Sequence, residues 1–146
     1  MRYTENFRRQ HDAILAKAAD VAEAARTLAN EADAAQAANR LAQLNGIVQV
    51  HLAAEDKTLY PRLMASSDSE AAETASRFSS EMGGLAEVYF AFAAKWRTSR
   101  AILTDPEGFR RESTAIFAAL ATRIERENSE LYPLVDDITA HSQRAA

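Results

Sequence analysis

The sequence predicts an all-α protein, an antiparallel up-down four-helix bundle, on three observations. Alanine is abundant while the 146 residues include only 4 glycines and 3 prolines, a balance that favours helix almost throughout. Apolar residues recur every three or four positions over long stretches, as on a helix with one buried face. The second half of the chain also repeats the first. His51-Leu-Ala-Ala-Glu55 with Leu59-Tyr60-Pro61 returns as Arg123-Ile-Glu-Arg-Glu127 with Leu131-Tyr132-Pro133, each position 72 residues further on. Phe7, His11 and Ile14 likewise precede Phe78, Met82 and Leu85 by 71 residues. The expectation is one domain over residues 1–138, built from copies 1–66 and 67–138, with a short polar tail at 139–146 that frays.

The first helix starts after Thr4 and runs to about Ala29, with Phe7, His11, Ile14, Ala18, Val21, Ala25 and Leu28 on its inner face. Asn30 and Asp33 are cap or turn residues, and the second helix extends to about Ala65. Its inner face carries Ala37, Leu41, Leu44, Val48, His51, Glu55 and Leu59. Ser67-Asp-Ser-Glu70 has the spacing of a capping box and opens the third helix. That helix turns Ala75, Phe78, Met82, Leu85, Tyr89, Phe92 and Trp96 inward, with Gly83-Gly84 in its middle. Thr104-Asp-Pro-Glu107 opens the fourth, with Pro106 where its missing N–H costs nothing. Phe109, Ile116, Leu120, Arg123, Glu127, Leu131 and Leu134 form its inner face. Pro61 and Pro133 each remove a backbone hydrogen bond, so each kinks or ends its helix and leaves a loosened turn just beyond the glutamate.

Composition removes several function classes. The absence of cysteine excludes disulfides, thiolate metal sites and thiol catalysis, and it fits a cytoplasmic setting. With 17 basic and 21 acidic residues the net charge is −4 and no basic stretch stands out, which argues against nucleic acid as a partner. No apolar run approaches the ~18 residues of a membrane span. The start, Met1-Arg2-Tyr3-Thr4-Glu5, lacks the apolar core of a secretory leader.

His11, His51, Glu55 and Glu127 all fall on inner faces, supplied by three different helices. Histidine and carboxylate four apart share one helix face and reach one ion. Two imidazoles and two carboxylates suit zinc or ferrous iron, and a dication balances charges that buried carboxylates cannot carry alone. Each residue also has a plain structural role open to it. A lone His11 is an ordinary core histidine, and His51 with Glu55 an ordinary intrahelical pair.

These residues resemble the hemerythrin-like (HHE cation-binding) family over nearly the whole chain. The resemblance rests on His11, on His51 with Glu55, and on the two Leu-Tyr-Pro segments. It implies a four-helix bundle with a non-haem di-iron centre held by histidines from all four helices and two bridging carboxylates. Here Met82 and Arg123 stand where histidines are expected, and only Glu127 is kept in the second half. That departure speaks against a second iron and against reversible oxygen binding.

Arg123 decides between readings. It occupies the space of a second metal beside a single ion, or it pairs with both glutamates and replaces metal altogether, or it reaches outward along its stem. Counting Glu55, Glu127 and Arg123 alone does not separate them. Met82 reads as core filler, since a thioether is a poor zinc ligand. Gly83-Gly84 serves close packing or a small void beside the metal. Tyr60 and Tyr132 either hydrogen-bond the ligating carboxylates or simply pack, while Glu81, Glu87 and His141 read as solvated.

The expectation is therefore a metal-binding protein with one divalent ion, zinc or iron, in a sensory, regulatory or structural role. No nucleophile–base pair or phosphate loop supports an enzyme. The rivals are a metal-free helical module that meets a protein partner in signalling, and a di-iron protein using Glu81 or water for the lost histidines. No clear exposed apolar stripe supports the module, and the oligomeric state is not legible.

Overall fold

A computed structural model describes the backbone of residues 2–145 and the side chains of residues 2–141. Every regular element in it is helical: α1 (Glu5–Arg26), α2 (Glu31–Ala54), α3 (Tyr60–Met64), α4 (Ser69–Met82), α5 (Leu85–Lys95), α6 (Ser99–Thr104), α7 (Pro106–Arg126) and α8 (Tyr132–Ala145). Two π-helical turns, Glu55–Leu59 and Glu127–Leu131, join α2 to α3 and α7 to α8.

Side-chain chemistry sets the boundaries. The Asn30 side chain accepts from the Asp33 N–H at the start of α2, and Asp105 accepts from the Gly108 N–H at the start of α7. The cap of α4 is Asp68, bonded to the Ala71 N–H, rather than the expected Ser67. α1 stops at Arg26, short of Ala29. One of its last carbonyls is taken up from α7, where Arg110 Nε donates to the Ala25 carbonyl at 2.7 Å. Thr4 is buried against α8, its N–H and hydroxyl both donating to Asp136 at 3.0 and 2.9 Å. α8 carries helical backbone to Ala145, beyond the expected fraying point near Ile138.

Two expectations are corrected. The third helix is not continuous, because Gly83 and Gly84 separate α4 from α5. A Cβ at Gly83 would run into the Ser79 carbonyl, whereas one at Gly84 would meet nothing. The short helix α6, capped by Thr98, fills what reads as a simple connection.

Neither Pro61 nor Pro133 ends its helix. In each case a π turn comes first: the Tyr60 N–H bonds to the Glu55 carbonyl and the Tyr132 N–H to the Glu127 carbonyl, five residues back. The register is reset there, and the proline enters the first turn of the following segment, where no N–H is needed. The wider turn has a second effect. Five residues along an α-helix rotate a side chain by about 140° away from the starting face. Across the π turns, Glu55, Leu59 and Tyr60 are all buried, as are Glu127, Leu131 and Tyr132.

α1 meets α2 through Lys17 on Gln43 and Arg40 on the Asp20 carbonyl. α1 meets α7 through Ala25 with Arg110 and His11 with Glu127. α5 and α4 face α7 through Lys95 with Glu112 and the Met82 carbonyl with Arg123. Two apolar clusters fill the interior. One includes Ile14, Leu41, Leu44, Val48, Phe92, Phe109 and Leu120, and the other includes Leu59, Leu63, Phe78, Leu131 and Val135. Buried polar residues interrupt these apolar runs on α1, in the last turns of α2 and α7, and at the starts of the two π turns.

Gly83→Ala is expected to destabilise the protein by about 1–3 kcal/mol through the Ser79 clash, and Gly84→Ala to stabilise it by about 0.4–1 kcal/mol by restricting the unfolded chain. Urea denaturation of the two variants checks the contrast, and equal effects would contradict the break described here.

Candidate metal centre

Between the two apolar clusters lie His11, His51, Glu55, Arg123 and Glu127, each at most 2 % exposed. The four expected ligands come together as expected: one donor atom from each of His11, His51, Glu55 and Glu127 lies within 4.8 Å of all the others. His11 comes from α1, His51 from the last turn of α2, and the glutamates open the two π turns. The imidazoles meet edge to face at 4.7 Å, and Tyr132 stacks on His11 at 5.1 Å.

The imidazoles are oriented from outside the cluster. His11 Nδ1 pairs with the Asn128 side-chain oxygen at 2.8 Å, and His51 Nδ1 pairs with the Gln10 side-chain oxygen at 2.6 Å. An amide oxygen only accepts, so each Nδ1 carries a proton. In neutral His51 the Nε2 then presents a lone pair to the interior, while His11 Nε2 lies 3.0 Å from Glu127 Oε1 and 3.1 Å from the Tyr132 hydroxyl oxygen. His51 Nε2 has no hydrogen bond although it is buried, and it lies 3.0 Å from Glu55 Oε1. Two acceptors that close, with no proton between them, repel unless a cation joins them. This orphaned nitrogen is the observation that fits a metal.

Burial, with the neighbouring His11 and Arg123 adding to it, holds His51 down to about 4, so the ring is neutral at neutral pH. Burial, then the adjacent Glu55 carboxylate, pushes Glu127 up, although His11 and Arg123 oppose it. Tyr60 and Tyr132 are driven well above the usual phenol range, first by burial and then by the glutamates. Both therefore remain donors. Tyr60 donates to Glu127 at 2.7 Å, and Tyr132 donates to Glu55 at 2.5 Å. The two bonds are equivalent under the 72-residue repeat, since each tyrosine serves the glutamate of the other copy.

Arg123 points inward, which rejects the outward reading. Its Nε donates to Glu127 at 3.1 Å, and one terminal nitrogen donates to Glu55 at 3.1 Å and to Asp56 at 2.7 Å. The other terminal nitrogen reaches the Met82 carbonyl, at 3.4 Å, beside the Gly83-Gly84 break. The Tyr60 ring lies 5.3 Å below the guanidinium. Burial alone would pull the guanidinium down, but Glu127 and Glu55 outweigh it and keep it charged.

Asp56, Gln10 and Asn128 are the site residues that sequence reasoning missed. Asp56 and Asn128 are themselves 72 residues apart, and that offset is the signal that could have found them. Counted as ionised, Glu55, Asp56 and Glu127 against Arg123 give a formal charge of −2, to which the neutral His51 adds nothing. Of the remaining candidates, Met82 is partly buried and offers its carbonyl to Arg123, with Arg126 also beside its sulfur at 4.0 Å. Glu81 pairs with Arg126 at the surface, away from the ligand set, so it does not replace a lost histidine. Glu87 and His141 are exposed. Among the described residues this is the one group of three or more histidines and carboxylates placed to hold an ion.

A helical protein with two histidines and two glutamates converging in its interior belongs among cation-binding helical proteins. The chain matches the hemerythrin HHE cation-binding domain over residues 2–135 and belongs to that family. No curated protein and no solved structure matches it. No helix among the described residues is long and apolar enough to cross a membrane.

Arg123→Met keeps the volume and removes the charge. With metal chelated, it is expected to lose about 3–5 kcal/mol of stability, as for a buried pair stripped of one partner. Urea denaturation measures this, and a loss under ~1 kcal/mol would show that the carboxylates do not depend on the guanidinium.

Proposed function

We propose that the chain is one domain, an antiparallel up-down four-helix bundle of two copies, 1–66 and 67–138, that holds a single divalent metal ion. His11 and His51 would bind it through Nε2, and Glu55 and Glu127 through carboxylate oxygens. The charge count carries this reading. Arg123 neutralises one of three carboxylates and leaves −2, which one dication balances. Replacement of all metal by Arg123 would leave that formal −2 without a cation, relieved by the partial exposure of Asp56 and by the burial that pushes Glu127 toward its protonated form. A second dication would overshoot the balance, and the positions that would serve it carry Met82 and Arg123.

The two-nitrogen, two-oxygen donor set suits zinc and ferrous iron alike. Zinc would give a structural or regulatory centre, and iron would add sensitivity to oxygen, nitric oxide or peroxide. The chain's own residues fix imidazole orientation through Gln10 and Asn128, and carboxylate orientation through the two tyrosines and Arg123. We place the protein among sensory, regulatory or structural metal proteins rather than oxygen carriers or enzymes, in a cytoplasmic setting, with a protein partner as the route of signalling. The metal-free module is the second reading, favoured by the central position of Arg123.

Elemental mass spectrometry on protein purified without added metal is expected to find one zinc or iron per chain, and His51→Ala is expected to abolish it. A content near zero that His51→Ala leaves unchanged would establish the metal-free module instead. Gln10→Ala and Asn128→Ala remove no ligand, yet each is expected to weaken metal affinity by about 10–100-fold, read by competition with a chromogenic chelator. Unchanged affinity in both would remove the orienting role given to these amides.

A further inference from the structure

α5 is apolar on nearly every side. Tyr89, Phe92 and Trp96 are buried in the core, while Val88 is 58 % and Phe90 43 % exposed, and Ala91 and Ala94 also face solvent. A helix with this pattern is ordinarily covered on both sides. Across from it, α7 turns out Ala115, Ala118 and Ala119. An open groove of about 830 Å³ runs between the two helices, lined by Leu85, Val88, Phe92 and Ile116 among others. The expectation that no exposed apolar stripe exists is corrected by this face. The charged residues lining the groove stand at its ends: Glu81 at one, and Lys95 with Glu112 at the other.

We propose that this face binds the same face of a second copy of the chain, α5 running antiparallel to its counterpart about a two-fold axis at Ala91. Charge complementarity selects this occupant. Glu87 and Lys95 flank Ala91 four residues on either side, so an antiparallel pair centred there sets each Glu87 opposite the partner's lysine, twice by symmetry. Glu87 has no ion-pair partner among the described residues. Lys95 bonds Glu112 at 2.7 Å but its side chain remains 57 % exposed, so it is within reach of a second carboxylate. Gly84, Ala91 and Ala94 present no bulk on the outer face, which allows two helix axes to approach closely. Val88 then lies over the partner's groove. A helix from a different protein would fill the same groove, but nothing in it would require the Glu87 and Lys95 spacing.

Sedimentation equilibrium of the metal-loaded full chain tests the proposal. The chain is expected to dimerise, and Ala91→Glu to raise the dimer Kd by about tenfold or more. Glu87→Lys and Lys95→Glu are each expected to raise it by about threefold to tenfold, and the double exchange Glu87→Lys with Lys95→Glu to restore most of the loss. Ala91 is exposed, so its variant keeps the fold, which circular dichroism and metal content verify; Val88→Glu gives the same reading if it does not. A monomer up to millimolar concentration overturns the proposal, including one that takes up an added amphipathic helix instead. A dimer indifferent to Ala91→Glu, or single-site losses that the double exchange fails to restore, overturns it as well.

Discussion

Two glutamates with no solvent exposure, buried at the same level, set the terms for everything around them. An ionised carboxylate cannot remain in a low-dielectric interior without compensation, and a pair of them repel. The surroundings supply that compensation in layers. Phenolic hydroxyls donate to one oxygen of each glutamate, the guanidinium of Arg123 lies between them, and imidazole nitrogens approach from the other side. The apolar clusters above and below require only volume and fit, which many sequences satisfy. The polar level tolerates far less, because removing any one donor strands a charge.

The repeat explains how such a level is assembled from a simple chain. Each copy contributes a glutamate at the start of a π turn and a tyrosine five residues later, and the wider turn brings both inward. Crossed hydrogen bonds between copies then tie the halves together. Departures from the repeat divide the labour. One copy has His11 and His51, whose Nε2 atoms are held toward the interior. The other has Met82 and Arg123, which present a fixed positive charge and a methionine side chain offering no good ligand to zinc. Asp56 and Asn128 follow the same division, the first meeting Arg123 and the second orienting His11.

The inner faces were legible because apolar periodicity is a strong signal in long helices, and the ligand residues share that phase. Burial of His11, His51, Glu55, Arg123 and Glu127 was readable for the same reason. Gln10 and Asn128 were not, since each adjoins a ligand in sequence and an α-helical wheel rotates it about 100° toward solvent. Asp56 was hidden similarly, and its value emerges only once Arg123 is seen to reach it. The Gly83-Gly84 break and α6 depend on local backbone sterics that periodicity does not report. The outer face of α5 was misread because an unbroken apolar run looks like core in sequence, and only the packing shows which side is left uncovered.

An arginine in a metal-binding family invites the view that the metal has been lost, but the electrostatics favour the opposite conclusion. A guanidinium keeps its charge and cannot exchange with solvent, so it sets a permanent background of +1. Had it been meant to neutralise the pair alone, a third carboxylate beside it would be a liability. Asp56 is that third carboxylate, 2.7 Å away. On the other side of the site, His51 Nε2 faces Glu55 Oε1 at 3.0 Å with no proton to join them. Protonating that nitrogen is disfavoured by the burial that holds His51 near 4. What remains is a gap between electron pairs that, on the proposed reading, a divalent cation would fill. On this view Arg123 does not compete with the metal but limits the centre to one.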